Sequence, residues 1–387
     1  MGLKQKKITV IGAGIGGLAA ARALAMRGAD VTVLEQADAI TEVGAGLQIS
    51  PNGFCVLDAL GLGQAIKDCS VQGEAVQLRD YRGGRVVELD LKRLEDRRYY
   101  FVHRSDIIDV LAVGAREVGV KIRLSQQVKS VQLGENPVVE LTNGGRVASD
   151  ILIGADGLHS VLRRAMNGTS APFFTRQVAW RTVIPNRFGR TSEAVVHMGP
   201  GRHLVSYPLR DGAFLNIVAV QERMDWAEEG WNFRDDPANL RAAFADFGGD
   251  VPAMLAAVED VHLWGLFRHP VAKVWHQGAA AILGDAAHPT LPFLAQGAVM
   301  ALEDSWVLAE SLENADDIMA GLATYQQRRI ARATRVINAA TGNARKYHLR
   351  AAPVRFAAHM ALRIGGKIAP AKMMHQFDWL YGMDVTA

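Results

Sequence analysis

Cysteine is nearly absent: Cys55 and Cys69 are the only two in 387 residues, and they form no CxxC pair. That excludes a disulfide framework, a cysteine-based zinc site and a dithiol reductase, and points to a reducing compartment. No stretch of 18 apolar residues occurs, so no membrane-spanning helix is expected. There is no run of five basic residues either. The net charge of +3 and pI near 8.8 are spread along the chain. Nucleic acid is therefore not an expected partner, whereas an anionic cofactor or a small acid suits a mild positive excess. The basic start gives way to glycines within about ten residues, without the apolar region and cleavage site of a secretory signal, so a cytoplasmic location is expected. Internal repeats and low-complexity linkers are also missing. What remains is a chain with 49% hydrophobic and 21% charged residues, long enough for two domains or one composite one.

The segment "KKITVIGAGIGGLAAARALAMRGADVTVLEQ" (6–36) reads as strand, glycine turn, helix, strand. Ile8, Val10 and Ile11 form a short buried strand; Leu18, Ala21, Leu24 and Ala25 recur at helical spacing before Gly28. Gly12, Gly14 and Gly17 fit G-x-G-x-x-G. Gly12 permits the tight turn, Gly14 lets backbone approach a pyrophosphate, and Gly17 lets helix and strand pack closely. The helix N-terminus then offers free N–H groups to phosphates. Glu35, ending the second strand, can accept both hydroxyls of an adenosine ribose. The motif alone does not separate NAD from FAD. "GAG" at 44–46 lacks a third glycine and a helix, so no second such site is expected.

Further along, "VQLRDYRGGRVVEL" (76–89) predicts two strands joined at Gly83-Gly84, and Ser105 is a plausible N-cap for the helix of "VHRSDIIDVLAVGAREVGV". "KIRLSQQVKSVQL" predicts a strand, and Asn143-Gly144-Gly145 a hairpin. Residues 176–268 read as β-rich; from 297 the chain turns helical.

Three separated motifs carry a resemblance: "GAGIGG" (12–17), "DILIGADGLHSVLRR" (150–164) and "AILGDAAHPTLPFLAQGAVMALED" (281–304). In this order they resemble the fingerprints of the single-component FAD-dependent aromatic hydroxylases, the p-hydroxybenzoate hydroxylase fold group. "GAGLQISPNG" (44–53), "HR" (103–104), "AWR" (179–181) and the tail "FDWLYGMDV" (377–385) extend it over nearly the whole chain. The pattern is most similar to that of 3-hydroxybenzoate 6-hydroxylases and salicylate hydroxylases. The implied fold is α/β: a Rossmann-like FAD-binding domain, an inserted β-rich substrate domain and C-terminal helices. The expected division is 1–175 and 269–340 for the FAD-binding domain, 176–268 for the substrate domain with 75–100 joining its sheet, and 341–387 for a C-terminal helical segment.

The resemblance implies tightly bound FAD, transient NADH or NADPH, dioxygen, and hydroxylation of an electron-rich ring through a flavin C4a-hydroperoxide. Asp285 would then bond a ribityl hydroxyl, Gly284 would allow close backbone approach, and Pro289 and Pro292 would stiffen the loop beside the flavin. The helix starting at Gln296-Gly297 would aim its N–H groups at the flavin edge that gains charge on reduction. Asp156 and Gly157, with Gly154, Ser160 and Arg163 around them, resemble the DG fingerprint, and Arg104 the family's cofactor arginine.

Phenol hydroxylation also needs a base. "RHLVSYPLR" offers His203 and Tyr207 on one strand face, about 13 Å apart at Cα. The pair resembles that of 3-hydroxybenzoate 6-hydroxylase, with Gln296 matching its active-site glutamine. His203 is the expected base because imidazole can titrate near neutrality; the bland alternative is a half-buried strand histidine. His288, His197 and His103 are read as structural. Arg181 is placed near a substrate carboxylate, with a structural ion pair as the alternative. Thr182 stands where flavin halogenases carry a second tryptophan, which disfavours halogenation.

The expected substrate is a small phenolic acid such as 3-hydroxybenzoate or salicylate. The rivals are 6-hydroxynicotinate, a larger polycyclic aromatic, or a non-catalytic FAD-binding redox sensor. A monomer or homodimer is expected.

Overall fold

The computed structural model describes residues 2–40, 45–94, 98–169, 171–223 and 233–387, apart from the side chain at 344. Short runs of Val, Ile and Leu form a six-stranded sheet in the order His276–Gln277, Ala280–Ile282, Ile151–Gly154, Lys7–Ile11, Asp30–Leu34, Lys121–Arg123. All neighbours are parallel except the antiparallel edge pair His276–Gln277 with Ala280–Ile282. Ile151–Ile153 and Ala280–Ile282 are wholly buried, as expected of strands covered on both faces. The three motifs therefore meet at the C-terminal ends of adjacent strands, where open α/β sheets bind ligands.

Helix Ile15–Met26 is buried on nearly every side. Its run Ala19, Ala20, Ala21 and Ala23 leaves room for helices Arg104–Glu117 and Gly297–Glu313 to press against it. At Gly16 an added Cβ would lie 3.1 Å from Ala301 Cβ of the second of these helices.

A second sheet has eight strands: Phe233–Asp235, Val261–Arg268, Phe173–Pro185, Phe214–Glu222, Arg202–Leu209, Glu193–Gly199, Ala75–Asp80 and Arg85–Asp90, in that spatial order. The period-2 alternation of its strands gives it two distinct faces. Trp180, Leu204, Leu215 and Ile217 point to one side and form a core with Leu240, Phe244, Val251 and Met254. The opposite face turns toward the nucleotide-type sheet. The tail adds helices Ala352–Ile368, Pro370–His375 and Asp378–Tyr381.

Three local readings need correction. "KIRLSQQVKSVQL" is two strands, Lys121–Arg123 and Val128–Gln132, in different sheets; Ser125, at φ 55°, turns the chain between them. The N-cap of helix Arg104–Glu117 is His103, not Ser105: its Nδ1 accepts the Ser105 N–H at 3.3 Å, so the ring does what a hydroxyl was expected to do. The β-rich stretch also holds helices Pro237–Ala243 and Val251–Ala256, the first capped by Asp236 with proline at its start. Among the described residues no helix is long and apolar enough to cross a membrane.

Candidate active site

The glycine turn has the three geometries its spacing predicts. Gly12 sits at φ +100°, and an added Cβ would meet Ala155 O at 2.5 Å. At Gly17 a Cβ would lie 2.0 Å from Gly12 O, so helix and turn touch through bare backbone. Gly14 has nothing within 4 Å of the Cβ position and borders two cavities.

The smaller cavity, about 250 Å³, is walled by Gly12, Leu34, Glu35, Gln126, Asp156 and His159. Both Glu35 oxygens hold backbone: Oε2 accepts from Ala13 N–H (2.8 Å) and Oε1 from Ala37 N–H (2.9 Å). The carboxylate thus braces the turn while keeping spare lone pairs. Asp156 Oδ2 accepts from Val161 N–H at 2.8 Å, while Oδ1 is buried with no hydrogen-bond partner among the described residues. Burial raises the pKa of this acid. A hydroxyl-bearing ligand would satisfy that oxygen.

The larger cavity, about 570 Å³, opens from Gly14 past Arg104, Gly157, Gly284, Asp285, Pro289 and Gly297 to the face of the eight-stranded sheet. Asp285 projects into this space, and its accessible surface is cavity surface. Burial raises its pKa, opposed by His288 and Arg104. Burial in turn lowers the Arg104 pKa, opposed by Asp285.

The Gly284–Gly297 loop is held from below. Asp304 accepts from Gly284 N–H (2.9 Å), His288 Nε2 (2.5 Å) and Arg329 Nε (2.7 Å). Burial alone would raise the Asp304 pKa, but His288 and Arg329 bring it down to about 2. Arg163 donates to the carbonyls of Ala286 (3.0 Å) and Pro270 (2.6 Å). His288 therefore faces inward, as a structural histidine would. Ala295, at φ 52° and lining the cavity, holds the left-handed region that a Cβ disfavours.

Gln296 is not brought to the cavity wall. Its Nε2 donates to Ser50 Oγ (2.9 Å), Ser50 donates to Asn52 Oδ1 (2.7 Å), and Asn52 Nδ2 donates to Gln296 Oε1 (3.1 Å) and Glu303 Oε1 (2.7 Å). This closed ring consumes both ends of the amide. The ring fixes the entry to helix Gly297–Glu313.

His203 and Tyr207 do share the cavity, with Val205 between them. Strand register places Arg181, Val218, Val205, Val196 and Leu78 in one row across five strands, all facing the cavity. His203 lies in the next row of the same face, about 12 Å from Arg181 at Cα. Arg181 stacks over the Trp264 ring at 4.0 Å; burial and the nearby Arg104 lower its pKa to about 10, so it stays cationic at neutral pH. Tyr207 packs on Phe101 at 5.2 Å and crosses Gly46 so closely that a Cβ there would lie 2.5 Å from its ring. Burial raises the Tyr207 pKa. His203 departs from expectation: burial, and then His348, hold its pKa well below 6.5.

Sequence reading missed His348, which bonds His203, and the Asn52–Glu303–Asp304–Arg329 cluster. The cluster left a signal: two adjacent acids interrupt the apolar helix Gly297–Glu313, and Arg329 and Arg332 sit three apart on the next helix. No comparable signal marked His348.

Residues 5–340 match the family model for the FAD binding domain. The chain is 34% identical over 395 residues to a 3-hydroxybenzoate 6-hydroxylase of Polaromonas naphthalenivorans, covering 98% of this chain and 96% of the relative. It is 31% identical over 392 residues to a 3-amino-4-hydroxybenzoate 2-monooxygenase of Streptomyces platensis, covering 99% and 97%. Among solved structures, Klebsiella pneumoniae HpxO complexed with FAD and uric acid superposes with TM-score 0.86 at 26% identity, covering 97% of each chain. A salicylate hydroxylase substrate complex shares the fold, with TM-score 0.82 at 23% identity and coverage of 99% and 96%.

Proposed function

We propose a substrate class for this chain, which belongs to the FAD binding domain family and is an FAD-dependent aromatic hydroxylase: a small phenolic carboxylic acid of the 3-hydroxybenzoate or salicylate type. NADH or NADPH is the proposed transient reductant. The observation that carries this reading is one cavity wall holding a half-buried cation, Arg181, and a neutral imidazole, His203, on the same sheet face. A carboxylate suits the first and a phenolic hydroxyl the second. Apolar side chains, Val76, Leu78, Val196, Val205 and Met198, fill the wall around them and keep the ring's surroundings dry.

In this reading Gly12, Gly14, Gly17, Glu35, Asp156 and Gly157 hold the adenosine and pyrophosphate of FAD. Arg104, Gly284, Asp285, Pro289 and Gly297 hold its ribityl and ring. The orphaned Asp156 Oδ1 and the open side of Gly14 support that placement. The bound flavin supplies electron transfer and oxygen activation. The protein's part is to orient the acid by Arg181, exclude water, and let His203 withdraw the phenolic proton, which raises electron density in the ring. Tyr207 closes the cavity wall beside it.

The test is NADH and NADPH oxidation by FAD-loaded enzyme with 3-hydroxybenzoate, salicylate, 3-amino-4-hydroxybenzoate and 6-hydroxynicotinate, with products identified and peroxide measured in parallel. Substrate-stimulated oxidation with a hydroxylated product is expected for at least one phenolic acid. Stimulation by none of them, or only peroxide, overturns the assignment.

A further inference from the structure

A base that burial keeps from holding a proton needs somewhere to send it. His203 Nδ1 lies 2.6 Å from His348 Nε2, and His348 Nδ1 lies 3.0 Å from Glu222 Oε1. Glu222 Oε2 is bound by Arg350, 2.5 Å away. Exposure rises along this line: His348 is 1% exposed at its side chain, Glu222 28% and Arg350 70%. The chain of contacts therefore starts at the cavity and ends at the surface. It joins the sheet to the turn that follows helix Ile318–Tyr347.

We propose that Glu222 and His348 are positioning residues that set the tautomer of His203 and carry the substrate's hydroxyl proton out of the cavity. This rests on the phenolic-acid reading above. The hydrogen-bond order fixes the polarity. A carboxylate only accepts, so His348 presents Nδ1–H to Glu222 and keeps a lone pair on Nε2. His203 must then donate Nδ1–H to that lone pair, which leaves its Nε2 bare toward the cavity.

Proton transfer along the line balances as follows. The phenolic O–H breaks and His203 Nε2–H forms. His203 Nδ1–H breaks and His348 Nε2–H forms. His203 ends neutral, and the positive charge sits on His348 beside the Glu222 carboxylate until His348 Nδ1–H breaks and its proton passes along Glu222 to water at the surface. Hydrogen bonding to His348 holds the Glu222 pKa near 2, so the carboxylate remains charged and ready to stabilise that imidazolium. The other ring neighbours of His203, Phe293 at 5.6 Å and Tyr347 at 5.3 Å, offer no such partner: burial pushes the Tyr347 phenol up to about 12. Among the described residues Arg350 is the other ion-pair partner of Glu222. Reverse passage would restore both tautomers when product leaves.

The line is tested twice on FAD-loaded enzyme. First, histidine is labelled with heavy nitrogen, and ligand-free wild type is compared with His203→Gln to assign the His203 signals. An unprotonated Nε2 and a protonated Nδ1 are expected, and Glu222→Gln should abolish this order. The opposite tautomer in wild type overturns the proposal. Second, proton release on binding 3-hydroxybenzoate is timed with an indicator dye in weak buffer. His348→Gln can still accept from His203 Nδ1–H but cannot take a proton, so release should slow by about tenfold or more with unchanged flavin absorbance. Wild-type release in both His348→Gln and Glu222→Gln overturns the relay. A probe that binds no protein, wild type included, overturns the phenolic-acid reading instead, and the ligand-free tautomer then decides the relay alone.

Discussion

Replacing each of two glycines by alanine should separate the fold's needs from the cofactor's. At Gly17 the new Cβ would lie 2.0 Å from Gly12 O and 3.3 Å from Ala155 Cβ. The first contact is backbone and cannot swing aside. An ordinary carbon–oxygen approach is about 3.3 Å or more, so the turn must open by more than about 1 Å. Overpacking of this kind costs about 1–3 kcal/mol and occasionally more, and a backbone clash belongs at the upper end. The expected loss in apoprotein Tm is on the order of 5 °C. Gly14 differs. Its φ of −77° and ψ of −177° suit alanine, and the Cβ meets nothing within 4 Å. Gly14→Ala should therefore change apoprotein stability by less than about 1 kcal/mol. The same methyl enters the space proposed for the pyrophosphate. A clash of about 1–3 kcal/mol there raises the FAD Kd roughly 5- to 150-fold. Thermal melts of apoprotein and fluorescence titration with FAD read the two effects separately. Should Gly14→Ala bind FAD like wild type, the pyrophosphate does not lie against this turn; should it melt as early as Gly17→Ala, the steric reading of the turn fails.

Asp285→Ala should elute from gel filtration without flavin while keeping its circular-dichroism spectrum; a fully yellow variant would remove Asp285 from the cofactor contacts. Arg181→Met should raise KM for a phenolic acid by about 10- to 100-fold, the worth of about 1.5–3 kcal/mol for a charge-assisted bond, while the matching phenol without a carboxylate loses little. Equal effects on acid and phenol would mean Arg181 only supports Trp264. Asp304 is fully buried, and its pKa falls from 3.8 to about 2 on folding. It thus contributes about 2 kcal/mol that is fully present above pH about 4 and lost as pH falls toward 2. In Asp304→Asn, acid titration followed by tryptophan fluorescence should show a shallower acid limb on a protein already weakened by about 3–5 kcal/mol. Identical acid limbs would refute that.

Much of the nucleotide-type sheet was legible because its signals are local. Gly12, Gly14 and Gly17 encode a turn by spacing alone, and each shows the steric reason its position implies. His203, Val205 and Tyr207 follow from strand alternation, which needs no tertiary knowledge. The misreadings lie where a distant partner decides. Gln296 sits beside the cavity loop, yet Ser50 and Asn52, some 240 residues earlier, capture its amide. The titration expected of His203 depended on burial and on His348, 145 residues away. His103 displaced Ser105 as the cap because the preceding strand runs directly into the helix.

The last forty or so residues have a consequence of their own. Leu362, Met373, Gln376, Phe377 and Tyr381 form part of the larger cavity's lining, although the family match ends at residue 340. Arg332 clasps the carbonyls of Trp379 and Leu380 at 3.1 Å, and Leu380 and Val385 are buried in the main core, so this roof is anchored to the scaffold. Part of the wall that would face a guest is thus written beyond the family-matched span, while Arg181 and His203 lie within it. Exchanging the tail alone between such enzymes is a route to new selectivity that leaves the redox engine intact.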